Sequence, residues 1–425
     1  MEIKELHQLF LNSSGISTDT RKIKPDSIFF ALKGENFNAN DFAIEALERG
    51  AKYAVIDEQP RKQNRQSILV SNVLETLQEL ASYHRNFLKL PILALTGSNG
   101  KTTTKELINV ALSRKYTTVA TTGNLNNHIG VPLTLLSMNS KTDIGIVEMG
   151  ANHQKEIEFL CRIAQPDYGF ITNFGKAHLE GFGSEEGIVT SKKELYAFLK
   201  EHQKMLFLNF DDPRQKEERS YPRNYSFGED SEASLKLKYL HNREYAGIAS
   251  NALEVHSKLL GQYNAKNLAA AFAISTYFEV PEEETKAALE AYIPANNRSQ
   301  VVEKNGQKII LDAYNANPTS MTEAIENLKR MESGSKSVIL GDMFELGALA
   351  EEEHQQLVNN IEDSGLDNIY LVGENFFETS TSENIKKFRS FEDFRSAFHP
   401  DEIANSLLLI KGSRGMALER VLELL

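Results

Sequence analysis

The run Thr96-Gly97-Ser98-Asn99-Gly100-Lys101-Thr102-Thr103 follows the apolar stretch Ile92 to Leu95 and opens a helical one. Its glycines let backbone N–H groups wrap a phosphate, and the start of a helix adds positive potential. Lys101 can then reach terminal phosphates, and the Thr102 hydroxyl can ligate magnesium. The spacing is Gly-x-x-Gly-Lys-Thr, shorter than the usual Gly-x-x-x-x-Gly-Lys-Thr, with Leu95 where the first glycine would fall. Its place between a strand and a helix favours nucleotide binding over an ordinary turn. Glu148 ends the next apolar strand, Ile144 to Val147. Alone it would be a solvated strand-end side chain; beside a phosphate loop it is a candidate to hold magnesium against the β- and γ-phosphates.

A third strand, Gly169 to Thr172, runs into Asn173-Phe174-Gly175-Lys176-Ala177-His178. A lone histidine is most often structural, but at the same strand edge as Lys101 and Glu148 it is a metal or phosphate candidate. Lys192 and Lys193, in Ser191-Lys192-Lys193-Glu194-Leu195, open a helix, and composition alone makes them a solvated surface. Asn264 and Asn267 share one face of an alanine-rich helix at i, i+3. Their amides can cap the helix start or read an adenine edge. Near the C-terminus, Asp312-Ala313-Tyr314-Asn315-Ala316-Asn317-Pro318 follows Ile309 to Leu311, and Pro318 suits a helical first turn. Gly341-Asp342-Met343-Phe344-Glu345-Leu346-Gly347 and Lys411-Gly412-Ser413-Arg414-Gly415 also end apolar strands. Three such loops on one sheet edge suggest a working face.

These loops need a scaffold that presents strand ends side by side. Short apolar strands alternating with helical stretches such as Lys105 to Ser113 imply crossover units and a mainly parallel sheet, with ligands at the carboxyl ends. Residues 1–85 look like a small α/β unit, with a strand at Ile28 to Leu32 and a helix from Phe42 to Arg49 stopped by Gly50. Residues 201–260 are more polar and read as a surface excursion of the central domain. A break near Pro294-Ala295-Asn296-Asn297 precedes a last α/β unit. The 425 residues, at roughly 100–200 per domain, allow two to four domains. With 41% hydrophobic and 25% charged residues, each can bury a core. A net charge of −12 argues against a general nucleic-acid or anionic-membrane binder, so any phosphorylated ligand must be held locally. The single Cys161 cannot close an internal disulfide and reads as packing in a reducing compartment. No signal-peptide pattern and no long apolar run appear, so a cytoplasmic protein without membrane insertion is expected.

Together these residues resemble the Mur ligases of peptidoglycan synthesis, over nearly the whole chain. Thr96 to Thr102 and Asn173 to His178 match motifs shared with folylpolyglutamate synthases. The segments Asp312 to Met321, Gly341 to Gly347 and Lys411 to Arg414 match the family member that adds a dipeptide. The resemblance implies an α/β fold of three domains. Residues 1–85 would be a small uridine-binding domain, 86–295 a central P-loop ATPase-like domain with a mainly parallel sheet, and 296–425 a C-terminal Rossmann-like domain. It implies an ATP-dependent amide ligase joining D-Ala-D-Ala to UDP-MurNAc-tripeptide through an acyl phosphate, giving UDP-MurNAc-pentapeptide, ADP and phosphate. Partners would be these small molecules only, and the protein a monomer.

The resemblance also assigns roles. Gly97, Ser98, Asn99, Gly100, Lys101, Thr102 and Thr103, with Asn264, Asn267, Arg298 and Asp312, would hold ATP. Ser17, Asp19, Arg21, Lys33, Gly34 and Asn36 match uridine-side loops, and Asn124, Asn126 and Asn127 a loop facing the muramoyl group. Tyr314, Asn315, Asn317, Lys411 and Arg414 would face the dipeptide side. His128 stands where the family usually carries an acidic residue. Lys192 falls where these ligases have a carbamylated lysine, which reverses the surface reading; Ser191 replaces the usual alanine. Lys101, Glu148, His178 and Lys192 are thus the catalytic set, and Thr102, Glu148, His178 and carbamylated Lys192 the expected ligands of Mg2+. Two other readings compete: a nucleotide-dependent switch without turnover, and another Mur-type or folylpolyglutamate-type amide ligase.

Overall fold

The computed structural model describes residues 1–59, 65–241, 244–251, 253–294, 297–362 and 364–425. The proposed break near 294–297 therefore lies partly outside the described residues. Three larger sheets, of four, seven and six strands, follow one another along the described chain. The first orders β1 (Ile16–Ser17), β2 (Ile28–Phe30), β3 (Tyr53–Ile56) and β4 (Ser67–Leu69) side by side, all parallel. Helix α1 (Ile3–Leu11) and helix α2 (Val73–Leu88) pack against each other on it. Asn72 starts α2 by accepting from Leu74 N and Glu75 N, and Val73, Leu77, Leu80, Ala81 and His84 make its buried face.

The central sheet has seven parallel strands: β5 (Ile92–Thr96), β6 (Thr118–Ala120), β7 (Ile144–Glu148), β8 (Tyr168–Ile171), β9 (Met205–Asn209), β10 (Asn224–Gly228) and β11 (Leu235–Lys236). Their spatial order is β11-β10-β9-β8-β5-β7-β6. β5, which feeds the glycine loop, is fully buried between β8 and β7, so the ends of three strands lie together. Helices α3 (Lys101–Leu112), α4 (Glu156–Ala164), α5 (Glu185–Glu201) and α6 (Tyr263–Tyr277) cover the sheet. Alanines at 265, 269, 270, 271 and 273 leave α6 thin enough to sit close on α3, in one core with Leu107, Ile108 and Ala111. Residues 201–260 are not a surface excursion: β9 to β11 extend the central sheet, and only the last part forms a separate three-stranded antiparallel sheet. Their apolar alternation is short and interrupted by charged turns, which hid the strands.

The third sheet runs β12 (Gln300–Lys304), β13 (Gln307–Asp312), β14 (Lys336–Gly341), β15 (Asn368–Val372), β16 (Ile385–Phe388) and β17 (Leu407–Lys411), in the order β12-β13-β17-β14-β15-β16. Only the edge pair β12–β13 is antiparallel. Helix α7 (Pro318–Arg330) begins with Pro318 in its first turn and Asn317 as its cap. No helix among the described residues is long and apolar enough to cross a membrane.

A buried histidine pair ties the first unit to the second. His84 Nε2 lies 2.9 Å from the Met138 carbonyl, which can only accept, so that nitrogen donates. His84 Nδ1 must then accept from His7 Nε2 at 3.0 Å, and both rings are neutral. Desolvation, then the His84 charge, holds His7 below the ordinary 6.5, and desolvation does the same for His84 against the pull of Met138. With folded values below unfolded ones, the pair contributes its full stability above about pH 6.5 and loses it as pH falls below that. The melting temperature should therefore drop between pH 7 and pH 5. His84→Gln, which can still donate to Met138, should drop less steeply; an unchanged slope would count against the pair.

Candidate active site

A cleft of about 540 Å3 opens where the ends of β5, β7 and β8 meet the ends of β13 and β17. Its floor is the glycine loop. Gly97 has φ +141 and a Cβ there would lie 2.0 Å from Thr172 Oγ1, so only glycine lets the loop pass under β8. Gly97 itself therefore sits behind the loop, while Ser98 to Thr103 line the cleft. The loop is pinned from β8 by Thr172 Oγ1 and Asn173 Nδ2, both donating to the Asn99 carbonyl at 2.6 and 3.0 Å. Lys101 Nζ folds back onto the Gly97 and Ser98 carbonyls at 2.7 and 3.0 Å. Desolvation pushes its amine down to about 8, against the pull of Glu148.

Glu148 is 1% exposed and lies at the centre of a polar web. Its Oε1 accepts from Thr102 Oγ1 at 3.2 Å and from Asn126 Nδ2 at 2.8 Å, while its backbone N–H donates to Thr121 Oγ1 at 3.0 Å. Oε2 is buried without a hydrogen-bond partner, with Lys105 Nζ 3.9 Å away. Thr102, Glu148 and a free carboxylate oxygen form the oxygen-rich donor set that suits a hard divalent cation. Lys105 went unnoticed in the sequence, although it follows Lys101 by one helical turn. Asn126, expected on the substrate, is instead spent on Glu148. Asn127 Oδ1 accepts from Ile129 N and Gly130 N, starting the next helix, so of this trio Asn124 lines the cleft without a bond of this kind.

His178 takes a left-handed conformation at the start of the short helix Leu179–Phe182. Its Nδ1 lies against the Glu345 carboxylate, and the imidazole draws that carboxyl below its usual range. This joins the second of the Gly341–Gly347 loop's acids to the central unit. Lys192 corrects two expectations. It sits in the middle of α5, which begins seven residues earlier at Glu185, and it is 1% exposed. Its Nζ has the Ala151 carbonyl at 3.4 Å and the Phe182 ring 4.8 Å from the centroid, with no carboxylate in ion-pair range among the described residues. Desolvation, then the charge of Lys101, brings its amine down to about 7.

The far wall comes from the third unit. The Arg298 guanidinium lies over the Tyr314 ring at 3.7 Å. Asp312 accepts from Ser299 N through Oδ1 at 3.0 Å and from Lys411 Nζ through Oδ2 at 2.5 Å. Lys411 also reaches the Asn315 carbonyl at 3.3 Å. Asn317 accepts from Ser320 N and donates to Asn99 Oδ1 at 2.7 Å, a direct tie between α7 and the glycine loop. Asn264 and Asn267 do not cap α6 but both line the cleft: Asn264 donates to the Leu260 carbonyl and accepts from Asn267 Nδ2, which leaves the Asn267 side-chain carbonyl oxygen uncommitted among the described residues. Arg414 points elsewhere, to Glu419. The set expected for uridine lies apart, at the carboxyl edge of the first sheet. There Arg21 is paired with Asp19, Lys33 with Asp57 and Glu58, and Ser17 Oγ with the Asp19 carbonyl, while Gly34 and Asn36 are exposed.

Three family models match the chain: "Mur ligase family, catalytic domain" over residues 12–90, "Mur ligase middle domain" over 95–275 and "Mur ligase, glutamate ligase domain" over 297–414. The UDP-N-acetylmuramoyl-tripeptide–D-alanyl-D-alanine ligase of Bacillus subtilis is 33% identical over 422 residues, 96% of this chain and 92% of that protein. A crystal structure of MurF from Acinetobacter baumannii superposes with a TM-score of 0.86 at 30% identity, covering 98% of this chain and 97% of that one. MurF of Thermotoga maritima in complex with ADP superposes at 0.81 with 28% identity, over 98% and 97% of the two chains.

Gly97→Ala should abolish the thermal stabilisation that ADP gives and lower the melting temperature of the free protein. Gly334→Ala, where an added Cβ meets nothing, should leave both unchanged. A Gly97→Ala protein that binds ADP normally would remove the loop from the site.

Proposed function

The chain belongs to the Mur ligase family, and from that premise we propose that its cleft joins D-Ala-D-Ala to UDP-MurNAc-tripeptide at the expense of ATP. The product is UDP-MurNAc-pentapeptide, a precursor of peptidoglycan. The observation that carries the reading is the single cleft that faces Lys101, Thr102 and Glu148 of the central unit with Arg298, Asp312 and Lys411 of the C-terminal one. A switch without turnover would not need the second wall of Asp312, Asn315 and Lys411 facing the phosphate loop across the same cleft.

The tripeptide carboxylate attacks the γ-phosphate, giving an acyl phosphate and ADP. The dipeptide amine then attacks the acyl carbon and phosphate leaves. Two anions must approach in the first step, so most of the catalysis is positioning and charge neutralisation. Lys101 would face the γ-phosphate, and the donors at the start of α3 the β-phosphate. Magnesium, when bound, would shield the phosphate charge from the incoming carboxylate. Thr102 and Glu148 fit as its ligands because Glu148 Oε2 is buried without a hydrogen bond and faces only the Lys105 ammonium at 3.9 Å. Among the described residues no three of His, Cys, Asp and Glu converge as a further metal site, so a second ion would need His178 together with a carbamate on Lys192. The buried Lys192 amine, without a carboxylate partner, suits that modification: it forms from a neutral amine and carbon dioxide. Arg298 and Asp312 would hold the nucleotide from the opposite wall, and closure of that wall would keep water from the acyl phosphate. We place residues 1–85 on the uridine end and the enzyme in the cytoplasm as a monomer.

Phosphate release from purified protein with ATP and magnesium should require both UDP-MurNAc-tripeptide and D-Ala-D-Ala, and the product should have the mass of the joined pentapeptide. Release without joining, or none whether the tripeptide ends in diaminopimelate or in lysine, would remove the ligase. Lys192→Ala should lose at least about a hundredfold in kcat, on the scale of a lost transition-state charge contact. Short carboxylic acids that occupy the vacated space should return part of it; full activity without them would exclude the carbamate.

A further inference from the structure

Helix α7 carries a carboxylate, Glu323, that makes no hydrogen bond and no ion pair among the described residues. Glu323 is largely enclosed between α6 and α7. Burial holds its carboxyl above the usual range, against the pull of the Lys266 and Lys411 charges. Lys266, on the facing helix α6, is exposed and also lacks a carboxylate partner within 4.0 Å. Both side chains, with Tyr263, line the active-site cleft and also a second cavity of about 640 Å3 on its other side. In that outer cavity Lys176 is matched by Glu353 and Glu326 by Lys329, and Arg330 adds an exposed cation at the rim. The passage between the two spaces thus carries one acid and one amine, of opposite charge, neither of them held by a hydrogen bond or a close ion pair among the described residues.

We propose that this passage seats the dipeptide substrate, Glu323 receiving its ammonium and Lys266 its carboxylate, with the outer cavity as its way in. The inference rests on the ligase reading. Of the three substrates, ATP and the tripeptide nucleotide present anions at their reacting ends; only the dipeptide presents a cation there. A zwitterion can satisfy the acid with its ammonium and the amine with its carboxylate at the same time. Charge-assisted hydrogen bonds made away from water are about twice as strong as neutral ones, so a free acid and a free amine are worth more here than the amides nearby. Those amides and cations are already committed: Asn317 to Asn99 and Ser320, and Lys411 to Asp312. No sequence motif marks Glu323 or Lys266, because each is one more charged residue on a helix until the two helices face each other.

The test is a full kinetic analysis of the intact enzyme, with the KM of each substrate measured separately. Glu323→Gln keeps the shape of the side chain and should raise the KM for D-Ala-D-Ala at least tenfold, leaving those for ATP and the tripeptide nucleotide within about threefold. The second arm compares D-Ala-D-Ala with its C-terminal amide. Wild type should prefer the acid at least tenfold in kcat/KM, and Lys266→Ala should bring that ratio close to one. A larger change in the KM for ATP would put the adenine amine on Glu323, and one in the KM for the tripeptide its side-chain amine; either overturns the proposal. So does an acid preference that survives Lys266→Ala, or full recovery in the double variant Lys266→Glu with Glu323→Lys, which would make the two residues partners of each other. A wild-type enzyme that joins nothing removes the ligase reading and this inference together; one that ligates normally while Glu323→Gln leaves every KM unmoved removes this inference alone.

Discussion

Glu148 sets the terms for everything around it. A carboxylate taken out of water costs several kcal/mol unless donors and cations replace its hydration. Here Thr102 and Asn126 share one oxygen, Thr121 holds the backbone, and the ammonium groups of Lys101 and Lys105 stand nearby. These partners come from three segments other than its own: the first two turns of α3, the residue after β6 and the loop at Asn126. Each is thereby fixed in register relative to the glycine loop. The one oxygen left without a hydrogen bond is the place where a metal cation improves the balance rather than worsening it.

What the sequence disclosed follows from what local spacing can encode. The glycine loop was legible because its chemistry is carried by consecutive residues between a strand and a helix, as were Pro318 at the start of α7 and the ends of β7 and β8. Composition read Lys192 as surface because a lysine in a charged run looks solvated; only the packing of α5 under the Ala151 segment buries its amine. Asn126, Asn264 and Asn267 were expected to face ligands; they line the cleft and also hold Glu148 and the segment before α6. An asparagine has two ends that either protein or ligand can satisfy, and the choice depends on neighbours far away in sequence. The pairing of His178 with Glu345 was invisible for the same reason, being set by how two units dock. The strands of residues 201–260 were missed because they belong to a sheet edge and carry charged turns between short apolar segments.

The central and C-terminal units meet through contacts that touch the site itself. Asn317 reaches the glycine loop, Lys176 reaches Glu353, and the Glu180 N–H donates to the Glu345 carbonyl at 3.1 Å. A small rotation of the third unit would break all of these at once and carry Arg298, Asp312 and Lys411 away from Lys101. The site is therefore complete in one relative arrangement of the two units, and the energy that holds that arrangement is drawn from polar contacts whose partners are also ligand-facing. Such contacts are worth little while water competes for them and more once the cleft has emptied.

That arrangement has an electrostatic consequence. Arg298 and Glu148 act on Lys101 with opposite signs: the arginine pushes its amine toward neutrality and the carboxylate holds its proton. Lys105 feels the same two groups, and Lys192 is pushed down by Lys101 in turn. Bringing the C-terminal wall inward thus gathers cations whose mutual repulsion opposes closure. An anionic nucleotide reverses the sign, since each cation that depresses its neighbours also attracts the phosphates. Closure without nucleotide costs free energy, and closure around it returns that free energy, so the two events favour each other by linkage. The cleft need not contain any separate sensor for ATP; the lysines that would neutralise the γ-phosphate are the same groups that resist closure until it is there.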